Sequence, residues 1–201
     1  FDLFYGAADR FIEINSGNLL GLSEERITLE TESGAIFGYD LLNEELDIKI
    51  KTQDYIAGTF PIGVVQESGD QKFFGVALYG GEFDYGTIYE YLPANNLVNN
   101  RLSFGNEQMT QWFSTGPLSE EINGFHYGLA EVDDSDFDVL YRFDPITNNL
   151  DTMHFFSLNA SGTGARGRLV HDDGIIYGEV NRGGANGAGG IFSYDLDNNI
   201  Y

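Results

Sequence analysis

One phrase returns through this chain at a fixed beat, and that beat limits the fold more than any single motif. GGIFSYDLDNN at 189–199 is echoed by VLYRFDPITNN at 139–149, TIYEYLPANN at 87–96 and AIFGYDLLNEE at 35–45. The aligned aromatics are Phe37, Tyr89, Tyr141 and Phe192, at steps of 52, 52 and 51 residues. A second landmark keeps time with the first. SGNLLG (16–21), DQKFFG (70–75), NGFHYG (123–128) and DGIIYG (173–178) end in Gly21, Gly75, Gly128 and Gly178, at steps of 54, 53 and 50. Two landmarks in phase over four copies define a tandem repeat.

Within each copy the local chemistry reads as strands. GIIYGEV and IFSYDL are short, β-branched or aromatic, and bounded by Gly, Asp and Asn. The NG and DG pairs ahead of the glycine landmark tolerate positive φ and suit tight turns. DPITNN and DLDNN then turn the chain into a further strand such as LDTMHFF. About four short strands per roughly 50 residues, without helical stretches, is the pattern of a propeller blade.

The expected fold is therefore an all-β propeller of four four-stranded repeats in one domain, 1–201. The approximate units are 1–45, 46–96, 97–149 and 150–199. Residues 200–201 restart a strand that 1–7 would continue, which lets the termini close the ring within one blade and remove exposed sheet edges. A closed four-blade ring and a segment of a larger propeller both satisfy this pattern.

Composition narrows the partners. The 201 residues carry 32 acids against 10 Lys and Arg, a formal charge of −22. Such a surface repels phosphate backbones and anionic bilayers, so nucleic acid is excluded as a partner. No apolar run approaches the roughly 20 residues of a membrane-spanning helix. Without cysteine, disulfides, thiol catalysis and cysteine-ligated metals are excluded.

Few residues carry recognisable reaction chemistry. GANGAG at 184–189 has a nucleotide-loop look, but its glycines are in reversed order and a strand follows where a phosphate loop needs a helix N-terminus. The run EVDDSDFD offers Asp133, Asp134, Asp136 and Asp138 as oxygen ligands for calcium, or else forms an acidic solvated turn. His126 and His154 fall in strands, where packing is the expected role, and His171 adjoins Asp172 and Asp173. No zinc spacing or G-x-S-x-G elbow occurs. Tyr5, Tyr55, Tyr79, Tyr85 and Trp112 sit at expected strand ends or turns, where an exposed ring stacks on a sugar or peptide.

The fourth unit resembles the GloVer-type tandem repeat. The match runs through Gly167, Leu169, Val170, Gly174, Tyr177, Gly178, Gly183, Gly184, Gly190 and Phe192. The second unit follows through Gly63-Val64-Val65, Phe74-Gly75, Gly80-Gly81 and Gly86-Thr87-Ile88-Tyr89, while the first and third lack the double glycine. The layout is also similar to kelch repeats, without their tryptophan. The resemblance implies a secreted or surface bacterial repeat protein with no established catalytic residues.

Together these readings lead to an expectation of a non-catalytic extracellular binding module, adhesin-like or scaffold. The turns 79–86, 131–138 and 181–190 would form its loop face, and the candidate ligand contacts are Tyr79, Tyr85, Trp112, Arg182 and Asn186. The expected partner is a protein or glycan, with other subunits or domains of a larger surface protein left open. No cofactor is required, and calcium at Asp133, Asp134, Asp136 and Asp138 is left open. The alternative is a carbohydrate-active hydrolase or lyase using acids at the propeller mouth.

Overall fold

A computed structural model describes residues 11–23, 34–51, 58–68, 72–105, 112–132, 137–158, 161–184 and 186–201. The chain divides into two compact units, Phe1–Phe104 and Gly105–Tyr201. The first holds two antiparallel four-stranded sheets, β1 (Ile12–Asn15), β2 (Asn18–Ser23), β3 (Ala35–Asp40), β4 (Glu45–Lys51), and β5 (Thr59–Ser68), β6 (Lys72–Tyr79), β7 (Thr87–Leu92), β8 (Leu97–Ser103). The second holds β9 (Trp112–Ser114), β10 (His126–Val132), β11 (Phe137–Phe143), β12 (Leu150–Ser157), and a sheet of β13 (Thr163–Asp172), β14 (Ile175–Arg182), β15 (Gly190–Asp195). Every sheet is a meander in chain order, and no helix occurs among the described residues. These four sheets are the blades of a β-propeller.

The sequence periods and the blades differ in phase by one strand. Cut at 45, 96 and 149, the periods part β4, β8 and β12 from the sheets they join. Blade four shows three strands among the described residues, and the closing strand expected from 1–7 lies outside them. Ile200 already pairs antiparallel with Asp195 across the preceding turn.

The two sequence landmarks turn out to be one structural feature. Gly21 pairs with Phe37, Gly75 with Tyr89, Gly128 with Tyr141 and Gly178 with Phe192, each across the two central strands of a blade. In every pair the aromatic ring lies over the glycine, filling the volume a Cβ would need. A glycine inside a strand costs backbone entropy, and the cross-strand ring recovers packing there. Each ring is essentially buried.

Beside each aromatic, the first three blades carry a bulge on the outer strand. Ile36 faces Ile50 while Phe37 faces Ile48, so Lys49 is the extra residue. Arg101 and Met153 are extra in β8 and β12 by the same reasoning. A bulge turns a backbone group out of the ladder, and in blades one and three the neighbouring blade of the same unit takes it. Asn96 Nδ2 donates to Lys49 O at 2.6 Å, and Tyr194 Oη donates to Met153 O at 3.2 Å. On the inner side, β5 and β13 swell opposite Gly75 and Gly178, at Gly63-Val64-Val65 and Gly167-Arg168-Leu169.

Apolar packing joins the blades within each unit. Leu20, Leu22 and Ile36 meet Phe73, Ala77, Tyr89 and Tyr91 in the first. Leu129, Leu140 and Phe156 meet Ala165, Ile176, Val180 and Phe192 in the second. In the first three blades the central strands are buried on both faces, which is why they read as continuous apolar runs, whereas β14 and β15 of blade four alternate buried and exposed positions.

The turns follow their sequence chemistry. Asn123-Gly124 and Asp173-Gly174 take positive φ at both positions, as a two-residue hairpin of type I′ requires. At the other end, Asp40, Asp144 and Asp195 each accept two backbone N–H bonds from the residues two and three ahead. Side-chain donors on Asn43, Thr147 and Asn198 complete each carboxylate's set. Those bonds hold the three carboxyls below the usual aspartate range.

Candidate functional site

In the second unit, blades three and four open a crevice of about 40 Å3 at the end where β10 and β14 leave their sheets. Glu131, Phe137 and Asp138 line it from blade three, and Thr163, Gly164, Arg166, Asn181 and Arg182 from blade four. That volume holds a water or one oxygen-bearing group.

Asp138 forms the floor. Its carboxylate leaves β11 and its Oδ2 accepts from the amides of Gly164 (2.5 Å) and Ala165 (3.2 Å) in β13. Burial pushes this carboxyl above the ordinary range, and the Glu131 charge adds to the rise. The two amide bonds and the Arg166 guanidinium oppose it. Gly164 has φ +70, and the Asn181 side chain lies directly on it, in the space of the missing Cβ. Arg166 Nη2 contacts Glu131 Oε2 at 3.3 Å, with both side chains about half exposed. Arg182 is exposed, and no acid lies within ion-pair reach of its guanidinium among the described residues.

The glycine turn after Arg182 closes on itself. Gly189 N donates to Gly183 O at 3.0 Å and Gly187 N to Gly184 O at 3.2 Å. With these amides used internally and β15 following, the turn has no anion-binding helix terminus. The turn of blade two repeats it, with Gly86 N donating to Gly80 O at 3.1 Å. A Cβ on Gly80 or Gly183 would come within 2.7 Å of the Cα of Gly58 or Gly162 respectively. Both turns therefore rest on a glycine at the start of their blade's inner strand.

The Gloeobacter/Verrucomicrobia repeat model matches residues 7–201, nearly the whole chain. The chain belongs to this repeat family. No curated protein sequence matches it. Among solved structures, an oligogalacturonate lyase in complex with manganese superposes with a TM-score of 0.63 at 8% identity, covering 96% of this chain and 52% of that one. The oligogalacturonate lyase of Vibrio parahaemolyticus gives a TM-score of 0.56 at 12% identity, over 89% of this chain and 46% of that one. TolB from Acinetobacter baumannii gives 0.54 at 12%, over 92% and 40%. The repeat chain thus spans about half the length of these proteins, and at such identities the likeness is one of fold.

The candidate contacts of the repeat chain divide by location. Arg182 lines the crevice, and Asn186 is exposed on the adjoining turn. Tyr79 is half exposed at the end of β6 in the first unit, and Tyr85 is half-buried in the turn that follows. Trp112 needs correction. It stands at the start of β9, as expected, but opposite Val132 it is 6% exposed, so its ring is part of the packing and offers no stacking face. Of the four aspartates suggested for calcium, Asp133, Asp134 and Asp136 lie outside the described residues, as do Tyr5 and Tyr55, while Asp138 is the inter-blade acceptor above. His126 is buried with Nδ1 2.9 Å from Ser119 O, and burial lowers its pKa. His154 stacks on Tyr201 at 4.1 Å, and His171 Nε2 accepts from Gly174 N in the DG turn.

Phe137, Arg166 and Asn181 were not among the sequence candidates. Their types carry no motif, and only the approach of β13 to β11 brings them together. The one sequence signal was weak: Arg166 and Arg182 are two of only four cations in residues 105–201.

Proposed function

We propose that this repeat protein is a non-catalytic, exported glycan-binding module whose second unit anchors an acidic saccharide at the crevice. The observation that carries the reading is Arg182. In a chain with 32 acids and 10 bases, its exposed guanidinium stands beside a polar crevice with no acid paired to it among the described residues. Asn181 adds a planar amide beside it. A carboxylate on the sugar would take bidentate bonds from the guanidinium. The chain's own charge opposes anions only over about a Debye length, roughly 8 Å at physiological salt. Two structures of the same fold are named for oligogalacturonate, a glycan of this kind.

Asp138 supports binding over catalysis, because its Oδ2 is committed to two amides of blade four. Its raised pKa beside Glu131 favours the second reading, a hydrolase or lyase with Asp138 as general acid. One experiment separates the two. Trigalacturonate is titrated into the chain at physiological salt, with calcium and with EDTA, and the mixture is then analysed for cleavage. Binding that is lost in Arg182→Ala, is equal in calcium and EDTA, and leaves the saccharide intact is the expected result. Cleavage abolished by Asp138→Asn would establish the enzyme, and no binding would sink the crevice reading. Export is supported by the family resemblance and by the absence of thiols that an oxidising compartment would couple.

A further inference from the structure

Blade two carries a strained aromatic residue where blade four has a glycine. The stretches Gly58-Thr59-Phe60-Pro61 and Gly162-Thr163-Gly164-Ala165 occupy the same register. Thr59 pairs with Tyr79 as Thr163 pairs with Arg182, and Pro61 pairs with Ala77 as Ala165 pairs with Val180. Gly164 has φ +70, and Phe60 keeps the same left-handed conformation at φ +55. For a bulky side chain that conformation is disfavoured, because Cβ crowds the following carbonyl. Folding alone is served better by the glycine that blade four uses.

The Phe60 ring is not spent on a core. It is 36% exposed and meets Tyr79, itself 49% exposed, edge to face with centroids 5.7 Å apart and planes at 82°. The backbone beneath is firm. Gly80 sits on Gly58, and Asp84 Oδ1 accepts from Gly80 N at 2.9 Å. Strained, exposed residues on rigid supports occur where a ligand is held.

We propose that Phe60 and Tyr79 form a stacking platform for a neutral pyranose of a glycan ligand. The perpendicular rings leave no continuous apolar groove for a peptide, while each exposed face matches one sugar ring. The rim is acidic: Glu82 and Asp84 lie on the adjoining exposed turn. Those carboxylates accept sugar hydroxyls and repel an anionic sugar, so this site selects neutral saccharides where the crevice favours acidic ones. It goes beyond the crevice reading, since it uses other residues in the other unit and stands or falls separately.

The test titrates cellohexaose, xylohexaose, mannohexaose and laminarihexaose into the full chain and into Phe60→Gly, Tyr79→Ala and Arg182→Ala, with trigalacturonate alongside. At least one neutral hexasaccharide binds the unmodified chain. Phe60→Gly and Tyr79→Ala each weaken that binding by about tenfold, and Arg182→Ala leaves it unchanged. Phe60→Gly also leaves the Tm within about 2 °C or raises it, because glycine suits the φ. A merely structural phenylalanine would instead lower the Tm. Absence of binding by all four sugars, binding indifferent to Phe60→Gly, or a Tm fall beyond about 4 °C in that variant would each overturn the platform. Loss of trigalacturonate binding in Arg182→Ala, or its absence throughout, bears on the crevice alone.

Discussion

The glycine under each aromatic ring allows a sharp test, and Gly128 is the best placed. It lies in β10 directly opposite Tyr141 in β11. A Cβ added there would fall inside van der Waals contact with Tyr141 Cζ and Oη and 2.8 Å from Cε2. The ring has nowhere to go. Tyr141 is fully buried, its hydroxyl lies 3.4 Å from Ser114 Oγ, and both backbones are held in the ladder. Overpacking a core of this kind costs about 1–3 kcal/mol, and alanine recovers only about 0.5–1 kcal/mol of glycine's entropy. Gly128→Ala is therefore expected to destabilise the chain by about 1 kcal/mol net, lowering the Tm by roughly 2–4 °C. Gly190→Ala is the control, because nothing lies within 4 Å of its added Cβ and its φ is ordinary. It should change stability by less than about 0.5 kcal/mol. Thermal and urea unfolding followed by circular dichroism measure both, and Tyr141→Leu completes a double-mutant cycle. In that smaller background Gly128→Ala should cost at least about 1 kcal/mol less. Equal costs in the two backgrounds, or a neutral Gly128→Ala, would refute the claim that ring and glycine form one unit.

Two further outcomes follow from other parts of the blades. The folded-state pKa values of Asp40, Asp144 and Asp195 lie below the ordinary 3.8, so their turns contribute fully above that pH and lose the contribution as pH falls through the lowered values. The Tm should drop from about pH 4 downward, and the triple variant Asp40→Asn, Asp144→Asn, Asp195→Asn should show a flatter slope. Asp138→Ala leaves the Gly164 and Ala165 amides without their acceptor, at a cost of about 3 kcal/mol in urea unfolding. Asp138→Asn keeps an acceptor oxygen and should cost about 1 kcal/mol.

How far each feature could be read from sequence depends on whether its cause is local. The NG and DG hairpins and the Asp–Asn turns were legible because a few adjacent residues set their φ values and capping bonds. The glycine and aromatic landmarks were legible as periodic marks, though only the register shows that each pair is one contact. The bulges keep the same period, yet Lys49, Arg101 and Met153 share no chemistry, because what recurs is an extra backbone residue. Trp112 stands at a strand end as expected, yet its burial was not legible, because a three-residue strand is too short for its pattern to show which side is buried. Asp138 read as one of four calcium candidates, since its amide partners lie 26 and 27 residues ahead on another blade.

The second and fourth blades show what such a repeat leaves free to vary. Gly58 and Gly162, Gly80 and Gly183, and Gly86 and Gly189 are fixed, because a side chain at any of them would strike backbone. Between those fixed points Thr59 and Thr163 match, as do Gly81 and Gly184, but the presented side chains diverge: Phe60 stands for Gly164, Tyr79 for Arg182 and Phe83 for Asn186. The backbone that makes the turn is thus insulated from the side chains the turn presents. If divergence were neutral drift, the aromatic version would not hold a phenylalanine at φ +55 in a position where glycine is free of strain. The same scaffold, copied with its glycines intact, can then carry an aromatic surface on one blade and a guanidinium on another. Exchanging the two turns should move ligand preference with the side chains and leave the blades standing, because every close backbone approach is glycine in both copies.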